Sequence, residues 1–335
     1  MRIENEFYRI QFENYSGYII SFYDKKNERE IISDRAAVPV VFDEYYHDTW
    51  SHRQNFFTDD MARFSDAEVT LLEDGPVRAA VKVKSRYNGS FVTEYFYLYK
   101  NSPHLKIKVK VDWREKHKLL KIKWPFALSD PKAFYKIPFG IIERPTDGEE
   151  EPSVGFTAVK GKEGGFALLN DGCYSSSVKE NVLWQTVLRS PIYGDHGQPR
   201  NSESEFTSQG EFTFNFTLMP AGDDNSEIIK ECDLLNTPLS TVLDTWHGGN
   251  LPKTLEGLSV NAKNVTVTAI KRSEDGKATV IRILEHDGKN TAVKIEGAVL
   301  PKPLETEITP YSVQTYYLAD GEDEWERVLF TEYKE

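Results

Sequence analysis

Hydrophobic and polar residues alternate along most of the first 220 positions of the chain. Valine and alanine occupy every second position from 77 to 83, and tyrosine does so from 95 to 99. Successive side chains of a strand point to opposite faces, so this period of two predicts strands with one buried face. Asn88-Gly89 separates the two runs and predicts a tight hairpin. With a third strand at 105–113, the pattern predicts a three-stranded meander.

Turn signals divide the rest of this region into further short strands. Strands that return at such short intervals predict an antiparallel sandwich rather than alternating strands and helices. Two polar stretches, 146–151 and 198–209, predict long surface loops. The first predicted domain covers residues 1–222. Its further strands are predicted at 7–12, 18–23, 119–126, 154–160, 165–170, 182–189 and 211–219.

The pattern changes after residue 222. Ser226 to Asn236 combines a capping residue with helical spacing, and Thr237-Pro238 ends the predicted helix. The chain up to residue 257 is rich in Gly, Pro, Asn and Thr, so 223–257 is predicted to be a helix and a linker. Residues 258–335 are predicted to form a small second β-sandwich with an acidic, flexible tail at 320–327. Its strands are predicted at 258–261, 264–271, 277–285, 291–296, 304–308 and 312–318.

The composition of the chain limits which binding partners and which cellular location can be expected. A chain of 335 residues is long for a single core, which agrees with two domains. The net charge of −12 argues against nucleic acid, because phosphate binding needs clustered Lys and Arg. The lysines between 104 and 123 alternate with apolar residues, which predicts the solvent face of strands. No apolar stretch approaches the ~20 residues that a membrane span needs, and the start is unlike a signal peptide, so a cytoplasmic protein is predicted.

Several short phrases, taken in order, resemble the C-terminal β-domain region of family 38 glycoside hydrolases, the zinc-dependent α-mannosidases. Tyr46-His47-Asp48-Thr49-Trp50 is similar to an Asp-x-Trp element of that family. The resemblance covers nearly the whole chain. It implies an all-β fold, with a large antiparallel supersandwich of the galactose-mutarotase-like type followed by a smaller β-sandwich. The phrases that carry it most clearly are 137–145, 164–172, 188–197 and 211–220.

The same resemblance implies a function. A retaining glycosidase needs a carboxylate nucleophile and a carboxyl acid/base, which this family carries on an N-terminal barrel beside a zinc held by two His and two Asp. The family's His-x-Asp and His-His-Asp phrases are absent here. The chain is therefore expected to be a non-catalytic region with no catalytic residue, metal site or cofactor of its own. Its expected partners are the barrel of the same enzyme, which holds the zinc, and a mannose-containing oligosaccharide; a homo-oligomer is left open.

Two groups of residues are candidates for contact with sugar or barrel. The loop 189–197 offers hydrogen-bonding groups and one flat aromatic face, the mixture that sugars need. The alternative for this loop is a structural turn, since its Pro and Gly residues favour one. Asp48 and Trp50 are candidates for the barrel interface, with local packing of Trp50 as the alternative. The substrate-cleft candidates in the loop are Arg189, Tyr193, Asp195 and His196.

Two other functions stay open from the sequence. A stand-alone carbohydrate-binding module would bind free sugar without a barrel. A mutarotase-like sugar epimerase would need an acid and a base, and His196 with Glu205 could supply them. Only the mannosidase reading is supported by the order of the phrases.

Overall fold

The structure is a computed structural model that describes residues 1–51, 55–194, 201 and 203–333. Within these ranges the chain forms 26 strands and one helix, which confirms the all-β prediction. The strands before residue 222 are β1 (Arg2–Glu4), β2 (Tyr8–Phe12), β3 (Ile19–Asp24), β4 (Arg29–Glu30), β5 (Val38–Asp43), β6 (Asp60–Arg63), β7 (Ser65–Asp74), β8 (Arg78–Tyr87), β9 (Ser90–Tyr99), β10 (Leu105–Trp113), β11 (Lys118–Pro125), β12 (Lys132–Ile137), β13 (Gly140–Arg144), β14 (Asp147–Pro152), β15 (Phe156–Gly161), β16 (Gly164–Asn170), β17 (Ser175–Lys179), β18 (Val182–Arg189) and β19 (Gly210–Ala221).

The remaining elements follow residue 222. The helix spans the residues that its cap and its stop predict. These elements are α1 (Ser226–Asn236), β20 (Ser259–Val260), β21 (Val265–Arg272), β22 (Ala278–Glu285), β23 (Thr291–Glu296), β24 (Leu304–Ile308), β25 (Val313–Ala319) and β26 (Glu326–Val328).

Two compact units divide the chain. The first comprises Met1–Ile137, Ile142–Gly222 and Glu231–Thr237, and the second comprises the rest. In the first unit an antiparallel sheet of nine strands, ordered β13-β12-β15-β16-β19-β10-β9-β8-β7, accompanies a six-stranded sheet ordered β14-β17-β18-β11-β5-β6. The same unit contains a third, separate sheet of four strands, ordered β1-β2-β3-β4. One hydrophobic core receives side chains from all three sheets, so this unit is a large sandwich.

The predicted meander is present in β8, β9 and β10. Tyr87 pairs with Ser90, so a two-residue loop closes the first hairpin. Asn88 in that loop has a φ of 46°, a left-handed conformation that asparagine adopts more readily than most residues. The side-chain amide of Asn88 also donates to the carboxylate of Glu115 at 3.1 Å.

Three local predictions were wrong. The stretch 146–151 is no loop, because Asp147–Pro152 forms β14 and pairs with β17 at the edge of the six-stranded sheet. Lys121 is 1% exposed rather than solvated, because β11 is a central strand covered on both faces. The tail 320–327 is partly ordered, since β26 begins at Glu326 and pairs with β25.

The second unit holds two smaller antiparallel sheets. Their orders are β20-β23-β24 and β21-β22-β25-β26. Alternate residues of β22, among them Ile281 and Ile283, fill a separate core together with Val293 and Ile295 of β23. In the part of the chain that the structure describes, no helix is long and apolar enough to cross a membrane.

Candidate functional site

A buried ion pair ties the end of β5 to the end of β18. Glu44, which follows β5, is fully buried, and the Nε of Arg189 donates to its Oε1 at 2.5 Å. The terminal nitrogen of Arg189 also donates to Glu44 and to the hydroxyl of Ser51. Burial raises the pKa of Glu44 to about 7, against the opposing charge of Arg189. The pair therefore clamps the chain after β5 onto the six-stranded sheet.

Phe57 contacts two cations, the half-buried Arg189 and the buried Lys121. The guanidinium carbon of Arg189 is 5.3 Å from the centre of the Phe57 ring. The ammonium of Lys121 is 5.6 Å from the same centre and 5.7 Å from that of Phe42. A cation over an aromatic face is stabilised by the ring quadrupole, more so when water is excluded. Phe57 thus packs on the outer face of the six-stranded sheet, beside the Arg189 that pairs with Glu44.

A second ion pair lies on the same sheet face. The ammonium of Lys121 donates to Glu150 and, at 3.0 Å, to the hydroxyl of Ser177. Glu150 also accepts from Thr186 and, at 2.6 Å, from Ser175. Burial lowers the pKa of Lys121, and the charge of Glu150 opposes that shift. This network explains why an acidic segment forms the edge strand β14: its central carboxylate pairs with a cation from a central strand.

The clamped segment lies beside the loop that follows β18. Asp48 forms a parallel bridge with Ile192, and the amide of Thr49 donates to the carbonyl of Ile192 at 3.1 Å. On its other side Ile192 bridges Phe206, and the backbone amide of Tyr193 donates to the backbone carbonyl of Glu205 at 2.9 Å. The tertiary structure therefore brings together the two groups of candidates that are about 140 residues apart in sequence.

Three aromatic side chains project from this junction. Tyr46, Trp50 and Tyr193 are 83%, 68% and 63% exposed, and we call them the aromatic rim. The Asp48 carboxylate accepts from the Trp50 amide at 2.8 Å, which fixes the turn that carries the indole. A Cβ added to Gly194 would stand 2.5 Å from the indole nitrogen of Trp50, so the glycine allows the indole to lie against the loop backbone. The rim is a solvent-facing aromatic surface whose backbone is held by hydrogen bonds to the loop after β18.

The candidates have different positions in the structure. Arg189 forms an ion pair with Glu44 and is only 27% exposed, so its charge is already paired within the chain rather than free to bind sugar. Tyr193 and Trp50 are exposed, while Asp48 caps a turn. Asp195 and His196 lie outside the described residues. Sequence reasoning missed Glu44, Phe57, Lys121 and Glu150, although a lysine between Leu120 and Ile122 was a signal for a buried cation.

The zinc that the resemblance implies has no ligand set among the described residues. Across 1–51, 55–194, 201 and 203–333, no group of three or more His, Cys, Asp or Glu could hold a metal ion. Structural and catalytic zinc sites take three or four such ligands. The described residues therefore do not fit the metal, and no chemical step through zinc is assigned to them.

A family comparison decides the identity. The model of the glycosyl hydrolases family 38 C-terminal domain matches residues 3–197, more than half of the chain. The chain belongs to this family. The resemblance read from the phrases at 137–220 is thereby confirmed, and the clamp, the aromatic rim and most of the large sandwich are parts of a family 38 C-terminal domain.

Known α-mannosidases are similar along most of this family 38 chain. Alpha-mannosidase G of Dictyostelium discoideum is 27% identical over an alignment of 332 positions, which covers 91% of this chain and 29% of that protein. Alpha-mannosidase 2C1 of mouse is 29% identical over 61% of this chain and 20% of its own length. The chain thus spans less than a third of the curated relatives it matches. An α-mannosidase from Enterococcus faecalis V583 shares the fold, with a TM-score of 0.76 at 16% identity over 94% of this chain and 42% of its own.

Proposed function

We propose that this chain is the non-catalytic C-terminal region of a retaining α-mannosidase, and that its aromatic rim contacts the catalytic barrel and forms one wall of the sugar cleft. The single observation that carries the proposal is the family 38 C-terminal match over residues 3–197. The catalytic carboxylates and the zinc belong to the barrel in this proposal. The chain supplies a shaped, partly apolar surface that orients substrate and excludes water.

The rim supports this role through its exposure and through the hydrogen bonds that hold its backbone. Tyr and Trp are enriched where protein surfaces meet, because they combine a large apolar area with a polar tip. Aromatic faces also stack on the C–H faces of sugars. Beneath the rim, the Glu44–Arg189 pair holds the chain after β5, and the bond from Arg189 to the Ser51 hydroxyl holds the turn that carries Trp50. The buried charges thus act as positioning residues, and the rim makes the contacts.

The test is hydrolysis of a chromogenic α-mannoside with added zinc. The purified chain alone should show no turnover, and a mixture with the separately expressed catalytic domain of the same enzyme should be active. Turnover by the chain alone would contradict the proposal and would favour an independent enzyme. Stoichiometric binding of mannose oligomers by the chain alone, with no effect on the catalytic domain, would favour a carbohydrate-binding module.

Substitutions in the aromatic rim test whether it contacts the barrel and forms one wall of the sugar cleft. Trp50→Ala and Tyr193→Ala should each reduce activity of the mixture about 10- to 100-fold, since aromatic anchors at an interface contribute roughly 1–3 kcal/mol each. Tyr15→Ala is the matched control, because Tyr15 is 71% exposed and lies on the turn between β2 and β3. Loss of activity with unchanged melting temperature would support the rim; equal effects of Tyr15→Ala and Tyr193→Ala would refute it. The cytoplasmic location and the oligomeric state stay predictions.

A further inference from the structure

One short segment carries most of the unusually exposed apolar side chains. In the part of the chain that the structure describes, seven large apolar side chains are at least 79% exposed, and six of them lie within 239–255. We call residues 238–258, between α1 and β20, the apolar strap. Monomeric proteins rarely leave such apolar clusters in water, and clusters of this kind mark interaction sites. The six side chains are Leu239, Val242, Leu243, Trp246, Leu251 and Leu255.

The strap is held by the rest of the described chain at its C-terminal end, where the carbonyl of Gly257 accepts from the amide of Val299 at 3.1 Å and Leu258 packs against the second core. It has no helix or strand between 238 and 258. Its hydrogen bonds are local, such as those of His247 with Asp244 and Gly248. Within the described ranges, no backbone hydrogen bond joins 238–256 to another segment. Backbone groups left to water and apolar side chains left exposed together indicate a segment whose partner lies outside this chain.

The spacing of the exposed residues indicates how the strap binds. Leu239, Val242, Leu243 and Trp246 follow the pattern i, i+3, i+4, i+7, which places all four on one face of a helix. Thr237 stands at a capping position before Pro238, and Gly248 follows the last apolar residue, as at natural helix ends. A ten-residue helix is marginal alone in water, which agrees with its absence here. Binding in an apolar groove would supply the missing stabilisation.

We propose that residues 238–247 fold as an amphipathic helix into an apolar groove of the catalytic part of the α-mannosidase. This rests on the proposed function, and it adds a second contact made by residues other than those of the aromatic rim. The partner is chosen on length: in Alpha-mannosidase G, the matched region is 29% of the polypeptide, so most of such an enzyme is available to cover the strap. The strap carries few charges, which fits an apolar groove rather than a charged one.

The experiment measures assembly of the full chain with the catalytic domain by analytical ultracentrifugation. Leu243→Asp should weaken assembly about 10- to 100-fold, because it removes a buried leucine and places a charge in the groove. Thr241→Asp is the control: it adds the same charge to the same exposed segment, but off the apolar face, and should weaken assembly less than about threefold. Iodide quenching of the Trp246 fluorescence should fall on assembly.

The outcomes separate this inference from the proposed function. Wild-type chain that assembles, with Leu243→Asp equal to Thr241→Asp, overturns the strap and leaves the α-mannosidase proposal standing. Wild-type chain that does not assemble overturns both. A dimer of the chain alone that Leu243→Asp dissociates would make a second copy the occupant and would also overturn the inference. Unchanged melting temperature of the Leu243→Asp chain alone confirms that the substitution leaves the fold intact.

Discussion

At the scale of single residues, the decisive feature is a carboxylate placed where water cannot reach it. Glu44 is fully buried, and its Oε1 accepts from the guanidinium of Arg189. Among the described residues, its other carboxylate oxygen, Oε2, has no hydrogen-bond partner. A buried ion without its counterion is costly. Removing one partner of such a pair therefore destabilises the protein far more than replacing both partners by uncharged residues. This asymmetry yields a clear prediction.

Arg189→Met should lower the free energy of unfolding by about 3–5 kcal/mol at pH 8. The pKa of Glu44 is raised in the folded chain, so its contribution favours folding at low pH and is lost as pH rises through about 7. Without Arg189, the stability lost when Glu44 ionises is larger. The destabilisation caused by Arg189→Met should therefore be smaller at pH 5, where Glu44 is protonated, than at pH 8. Urea unfolding at both pH values measures it. The double variant Glu44→Gln/Arg189→Met should recover most of the stability; a defect that is the same at both pH values would count against a charged Glu44.

Glu94 offers a second test of buried charge. It lies in β9 between Val83 and Val109, and burial raises its pKa to about 8. The raised pKa means that stability is full below about pH 4 and falls as pH rises towards 8. Glu94→Gln should stabilise the protein by roughly 1–4 kcal/mol at pH 8 and have little effect at pH 5. Thermal unfolding at the two pH values decides; destabilisation at pH 8 would show that Glu94 has a partner when ionised.

At the scale of elements, the β8–β9 hairpin depends on one backbone conformation. Asn88 has a φ of 46°, which β-branched residues strongly avoid. Asn88→Val should destabilise the protein by about 1–3 kcal/mol. Asn88→Gly separates conformation from hydrogen bonding, because glycine tolerates the φ but loses the contact with Glu115. If conformation dominates, Asn88→Gly will be close to wild type in urea unfolding; equal losses for both variants would point to the contact with Glu115.

At the scale of the whole molecule, two cores predict two unfolding events. The compact units have separate hydrophobic clusters, and domains commonly unfold as units. Ile10 in the first core and Ile283 in the second are both 0% exposed, so they form a matched pair. Ile10→Ala and Ile283→Ala should each lower one calorimetric transition by on the order of 5–10 °C and leave the other in place. A single transition lowered by both variants would contradict independent units.

Much of the fold follows from the sequence because its cause is local. A period of two marks a strand wherever it occurs, and 182–189 and 291–296 match β18 and β23 in the structure. The Asn88 hairpin and the helix Ser226–Asn236 follow from turn chemistry and helical spacing, which need only neighbouring residues. The order of short phrases also identified the family, since a shared order reflects common descent rather than a single contact.

The candidate site depends on tertiary structure. Glu44 and Arg189 are 145 residues apart, and nothing near either residue shows that they pair. Lys121 reads as a solvated lysine until the structure places Glu150 and Phe57 above it. The acidic segment at 146–151 reads as a loop because strand propensity does not include a distant counterion. The sequence determined the strands that have a clear period of two, since that pattern rests on neighbours a few residues away. Only the tertiary structure decided which charges meet, because pairing between sheets depends on register and burial summed over the whole sandwich.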